Sequence, residues 1–148
     1  LCFSAQLYAD TGLQLFYVIM AIWGWINWRD SSSENLQIKR WGLKNNGLNI
    51  LISSLVATLL GLVLSAYTDQ AYPFVDSFIF CFSLVATYLI TIKVLDNWVY
   101  FIVIDIIAVP LFWSRGLYVT SILYLFYTVL AMYGFRQWQK TFNLQANV

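Results

Sequence analysis

The chain contains no histidine, two cysteines, two prolines and few charges, which make up 10% of its 148 residues. Each shortage excludes something. Without histidine there is no usual general base, no Ser-His or Cys-His nucleophile pair, and none of the commonest metal ligand. Cys2 and Cys81 stand alone, without metal-ligand spacing and without an evident partner in each other. No catalytic residues, metal or cofactor are therefore expected, and an intramembrane enzyme is disfavoured. Eight Lys/Arg against seven Asp/Glu leave a net charge of +1, which suggests neither nucleic acid nor an acidic partner. A soluble domain carries roughly a quarter of its residues as charges, so less than half the needed polar cover is present. What fills the chain instead is apolar: 61% hydrophobic and 19% aromatic residues, with seven Trp, ten Tyr and eleven Phe, at a mean hydropathy of +0.70. This is the composition of an integral membrane protein whose solvent is the bilayer.

Five apolar stretches approach the ~20 residues a helix needs to cross the hydrocarbon core: Leu7–Trp28, Leu48–Tyr67, Phe74–Lys93, Asn97–Trp113 and Leu117–Arg136. Their length and lack of interruption exclude barrel strands. Pro110 removes a backbone donor near the end of the shortest span and should bend it. The one longer connection, 29–47, is polar and holds Ser31, Ser32 and Ser33. Arg29, Lys39, Arg40, Lys44, Lys93, Arg136 and Lys140 fall on one side of the five-span arrangement and Arg115 on the other. Seven cations against one place that side, and the C-terminus with it, in the cytoplasm. Trp23, Trp25, Trp28 and Trp138 suit an aromatic belt at that interface. No charged segment with a small-residue cleavage site opens the chain, so a signal peptide is not expected.

The first and last spans resemble each other. Laid against Leu117–Gln139 without gaps, Leu7–Arg29 matches at nine of 23 positions, among them Tyr17/Tyr127, Ala21/Ala131, Gly24/Gly134 and Trp28/Trp138. An even number of crossings separates the copies, so they run in the same direction, as parallel repeats about an axis along the membrane normal. Parallel repeats joined by one odd helix follow the logic of SWEET-type facilitators. The expected fold is all-α, a single transmembrane domain over 1–148 with a 3+1+3 plan. Residues 7–28 are the last helix of the first repeat, 48–67 the linker, and 74–136 the second three-helix repeat. On this reading the first two helices of the plan are missing, and the chain is an N-terminally truncated fragment.

Polar groups inside a span are costly and point to function by default. Asn97, Phe101, Asp105 and Phe112 fall near one face of the fourth span, with Trp98 beside Asn97. Asp105 has no Lys or Arg at its depth, and either packs against a neighbouring helix or faces a cavity. Asp10, Gln14 and Tyr17 share a face of the first span; Thr120, Tyr124 and Tyr127 are their equivalents in the last. Asp76, Ser83 and Thr87 mark a polar face of the third, suited to packing. Aromatic faces with amides and one carboxylate can stack a flat cationic ring and hydrogen-bond hydroxyls. A phosphate would find no cation there.

These residues resemble a known family. Leu7-Tyr8-Ala9-Asp10, Leu13-Gln14, Tyr17, Gly24-Trp25 and Trp28 are similar to the third helix of PnuC-type nicotinamide riboside transporters. Asp96-Asn97-Trp98, Asp105, Pro110-Leu111, Gly116-Leu117-Tyr118, Leu123-Tyr124, Gly134 and Trp138 resemble the end of the same family. The resemblance implies a SWEET-like homotrimer in the bacterial inner membrane. It implies facilitated diffusion of nicotinamide riboside, an NAD precursor, drawn inward by a cytoplasmic kinase that traps it. The solute contacts it implies are Gln14, Tyr17, Asn97, Trp98 and Asp105, with Thr87, Phe101 and Tyr124 completing the candidate substrate-binding set. Thr87 and Phe101 depart from the family's Gln and second Trp. That leaves thiamine or another flat vitamin such as riboflavin as the alternative solute, and a non-transporting packing subunit as the alternative class.

Overall fold

A computed structural model describes residues 2–29 and 37–147, with side chains from Gly12 onward except that of Leu13. The Asp10 side chain and the Ser31–Ser33 stretch lie outside the described residues. The helices are α1 (Cys2–Arg29), α2 (Leu43–Tyr67), α3 (Pro73–Thr91), α4 (Asn97–Ser114) and α5 (Tyr118–Ala146). Four of them, α2 to α5, are long and apolar enough to cross a membrane.

Several boundaries differ from the expected spans, α1 beginning at Cys2 rather than Leu7. α2 begins at Leu43 rather than Leu48, because Lys44, Asn45 and Asn46 continue the helix into the polar interface. α3 stops at Thr91, and Lys93 leaves it in the left-handed region with φ 54°. α5 runs on past Arg136 to Ala146. At ~1.5 Å per residue its 29 residues exceed a ~30 Å hydrocarbon core, so its last turns stand clear of the apolar layer. Hydropathy marks where lipid begins, and a helix need not end there.

The packing follows side-chain size. Ser53, Ala57 and Gly61, each four residues apart, form the buried face of α2 and let it lie close on α3, the way small residues work between membrane helices. α3 carries the core, where Phe82, Ala86 and Leu89 meet Val94, Tyr100 and Ile104. α4 lies between α3 and α5, while α1 packs on α3; among the described residues α1 and α5 make no backbone contact with each other. Gly116 makes the α4–α5 turn with φ 76°, a conformation in which a Cβ would be strained. Across that hairpin the buried Ser121 hydroxyl donates to the Val109 carbonyl at 2.7 Å.

The two ends of the bundle are held differently. At the end rich in Lys and Arg, the segment before α2 pairs with the α3–α4 turn. Lys39 N donates to Lys93 O at 2.9 Å and Leu95 N to Lys39 O at 2.8 Å. The Asp96 carboxylate there accepts from Trp41 N at 2.8 Å and from Asn46 Nδ2 at 3.2 Å. At the opposite end Arg115 bridges to Asp76 at 2.6 Å and lies over the Tyr72 ring.

Candidate functional site

α1 and α5 make no backbone contact among the described residues, and the chemistry-bearing side chains of α4 and α5 lie toward α1. On α4, Trp98, Phe101, Asp105 and Phe112 recur at intervals of three, four and seven residues, which keeps them on one face. On α5, Tyr124, Tyr127, Ala131, Gly134 and Trp138 do the same. Of the small residues in the middle of that α5 stripe, Ala131 is buried and Gly134 is covered by the Trp98 ring.

Two levels are occupied. In the middle, the Tyr124 hydroxyl lies in the field of the Asp105 carboxylate, with Tyr17 and Tyr127 also close. Tyr17 meets Ser83 of α3, and Phe112 stacks on Tyr124 at 5.1 Å. Asp105 is only 6% exposed. Among the described residues the two salt bridges are Arg40–Asp96 and Arg115–Asp76, so neither engages it. An acid so placed keeps its full capacity to accept hydrogen bonds.

The second level lies at the basic end. Trp138 packs edge-on to Trp98 at 5.5 Å and against Trp28 at 5.9 Å, and Lys93 Nζ sits 5.4 Å over the Trp28 ring. Gly134 makes room for this cluster: a Cβ there would come within 2.6 Å of the Trp98 ring. The Trp98 indole N–H and the Asn97 Oδ1 are both buried without a partner, although Asn97 spends its amide N–H on the Val94 carbonyl. A buried donor and a buried acceptor that lack partners among the described residues are unusual in a packed protein.

Of the residues singled out by sequence, Tyr17, Asp105 and Tyr124 come together at the middle level, and Asn97, Trp98 and Phe101 lie one to two turns below on α4. Gln14 is exposed. Thr87 turns its hydroxyl to the Ser83 carbonyl at 2.7 Å, a bond within its own helix. The paired contacts also give direction. Tyr17 lies level with Tyr124 and Trp28 with Trp138, so α1 and α5 run the same way.

A family model described as nicotinamide mononucleotide transporter matches residues 1–140. The chain belongs to that family. It is 31% identical to the nicotinamide riboside transporter PnuC of Escherichia coli (strain K12), an alignment covering 92% of this chain and 68% of that protein. The same identity and coverage relate it to PnuC of Shigella flexneri. The riboflavin/roseoflavin transporter RibM of Streptomyces davaonensis is 23% identical over 92% of this chain and 66% of its own length. No solved structure is a significant match.

This nicotinamide mononucleotide transporter family member is thus a multi-pass membrane transporter. The repeat makes Tyr127 the equivalent of Tyr17 and Trp138 that of Trp28; the aromatic-belt reading gave both indoles to the interface, and their contact across α1 and α5 emerges only in the fold.

Proposed function

We propose that the chain forms part of a facilitator for nicotinamide riboside, with the solute held between α1 and α5. The observation that carries this reading is the buried Asp105, without a salt-bridge partner among the described residues, beside Tyr124, around which Tyr17 and Tyr127 also gather, one to two turns from the Trp98 N–H and Asn97 Oδ1 that lack partners among the described residues. The carboxylate accepts from ribose hydroxyls, the aromatic rings face the flat cationic pyridinium, and the Trp98 N–H and Asn97 Oδ1 offer a donor and an acceptor to a primary carboxamide, which carries both kinds of group. Phe101 supplies apolar surface between the two levels. Gln14 and Thr87 join when the helices close on the solute. The basic end faces the cytoplasm, α1 to α5 belong to a parallel 3+1+3 plan of SWEET type, and the unit assembles as a homotrimer. Flux runs down the gradient without ion coupling, since among the described residues Asp105 has no second acid as a relay partner, and a cytoplasmic kinase that phosphorylates the solute keeps the gradient inward.

The test is uptake of labelled nicotinamide riboside into vesicles containing the full-length protein. Saturable uptake that stops at equilibrium is expected. Asp105→Asn should lower apparent affinity about tenfold or more, the loss of one charge-assisted hydrogen bond. Robust riboflavin or thiamine flux without nicotinamide riboside flux would reassign the solute. Flux untouched by Asp105→Asn and Gln14→Ala would favour a packing role for these side chains.

A further inference from the structure

On the opposite side of α4 from the solute space, α2 and α4 enclose a second recess. The two helices are joined at the basic end through side chains. Asn46 Nδ2 donates to Asp96, Tyr100 donates to Asn46 Oδ1 at 3.3 Å, and Asn49 Nδ2 donates to the Tyr100 hydroxyl at 3.2 Å. Beyond that link lies a groove of about 320 Å³, with Asn46 and Asp96 at its mouth and Ile50, Val99, Val103 and Ile104 along its walls. Phe78 and Phe82, stacked at 4.2 Å, form its floor.

Three features describe the occupant. The first is polarity, since past Tyr100 every lining side chain is hydrocarbon. The second is length. From Asp96 to Ile104 the groove follows eight residues of helix, about 12 Å, close to the ~15 Å depth of one leaflet of the hydrocarbon core. The third is charge. Asp96 is occupied by Trp41, Asn46 and Arg40, whereas the Arg40 side chain is 54% exposed and Lys39 and Lys44 beside it are exposed. The mouth therefore presents unspent positive charge to the membrane surface.

We propose that the groove binds one acyl chain of an anionic phospholipid, from the leaflet at the basic end, with its phosphate among Lys39, Arg40 and Lys44. A long apolar slot that begins at a cationic interface and ends near mid-bilayer matches that amphiphile in polarity, length and sign. A second copy of the chain seated here would bring its own basic strip against this one. The flat polar solute would find no hydrogen-bonding partner beyond the mouth.

The experiment is native mass spectrometry of the full-length protein purified from membranes containing phosphatidylglycerol, followed by exchange against phosphatidylcholine. One retained phosphatidylglycerol per chain is expected. Val103→Trp, which fills the groove, should abolish retention, whereas Val129→Trp on the outward face of α5 should not. Lys39→Gln with Lys44→Gln, which leaves the Arg40–Asp96 pair intact, should cut the preference for phosphatidylglycerol over phosphatidylcholine by about fivefold per lysine. Should Val103→Trp fail to fold, a photoactivatable phosphatidylglycerol analogue applied to the unmodified protein should label residues 96–104 and 78–82 above all others. Equal retention by Val103→Trp, labelling spread evenly over the helices, or a dimer contact mapped to the groove would each overturn the assignment. None of these readouts involves solute flux, so a failure here leaves the transport reading standing.

Discussion

At the scale of single residues, Gly24 and Gly134 occupy matched positions in α1 and α5, yet their surroundings differ. A Cβ on Gly24 would meet the Thr91 methyl at 3.2 Å, while one on Gly134 would sit 2.6 Å from the Trp98 ring. The Trp98 ring has nowhere to retreat, with Trp138 at 5.5 Å and Phe101 at 6.5 Å. Gly134→Ala should therefore cost about 1–3 kcal/mol through overpacking, and Gly24→Ala clearly less, as read by thermal unfolding in detergent. The same substitution moves the indole whose N–H has no partner, so Gly134→Ala should also weaken solute uptake. A stability loss larger for Gly24→Ala would mean that Thr91, not Trp98, is the tighter neighbour. Trp98→Phe separates the two effects, because it keeps most of the ring and deletes the N–H. It should depress uptake with a smaller change in melting temperature than Gly134→Ala.

Elements add what single residues cannot, and α4 is the one on which both recesses depend. Its Trp98–Phe101–Asp105–Phe112 face carries the proposed solute contacts, and Val99, Val103 and Ile104 line the groove behind it. α4 keeps its place partly through Ser121, whose buried hydroxyl reaches the carbonyl of Val109 immediately before Pro110. Interhelical hydrogen bonds of this kind average ~0.6 kcal/mol in a membrane protein. Ser121→Ala should lower stability by about that amount, with Ser114→Ala, whose bond stays within α4, as the milder control in a denaturant titration. The existence of the helices was legible in sequence because each is a long apolar run with short connections, and Asp105 was legible because a lone acid in such a run is conspicuous. The link from α2 to α4 was not. Asn46 lies about fifty residues from Asp96 and Tyr100. The backbone bridge between Lys39 and Val94 helps bring them together, and nothing in hydrophobic periodicity encodes a pairing at that separation. The early start of α2 was hidden for a related reason, since interfacial residues such as Lys44 and Asn45 are polar whether helical or not.

For the whole molecule, the contrast between its two ends is the feature a transport cycle would use. At the basic end Trp28 of α1 and Trp138 of α5 touch across the space, with Trp98 and Lys93 packed around them, so the passage between the two helices is blocked there by aromatic side chains. At the far end Arg115 is engaged with Asp76 and Tyr72, which ties the α4–α5 turn to α3 and leaves α1 out of the latch. Among the described residues, movement of α1 relative to α5 is resisted at the basic end by the Trp28–Trp138 contact, of the kind worth about 0.5–1.5 kcal/mol beyond its buried area, together with Lys93 over Trp28 and the packing of Trp23 and Gly24 on α3. Trp138→Ala should ease the opening and raise the reactivity of a cysteine placed at Tyr127 toward a thiol reagent applied from the basic side. Replacing Trp28 and Trp138 by cysteines and joining them with a flexible bifunctional reagent should arrest uptake, while labelled solute still binds from the Arg115 side. Uptake that persists after complete cross-linking would show that the solute does not pass between α1 and α5, because a covalent tie at the narrowest point of that route leaves no path through it.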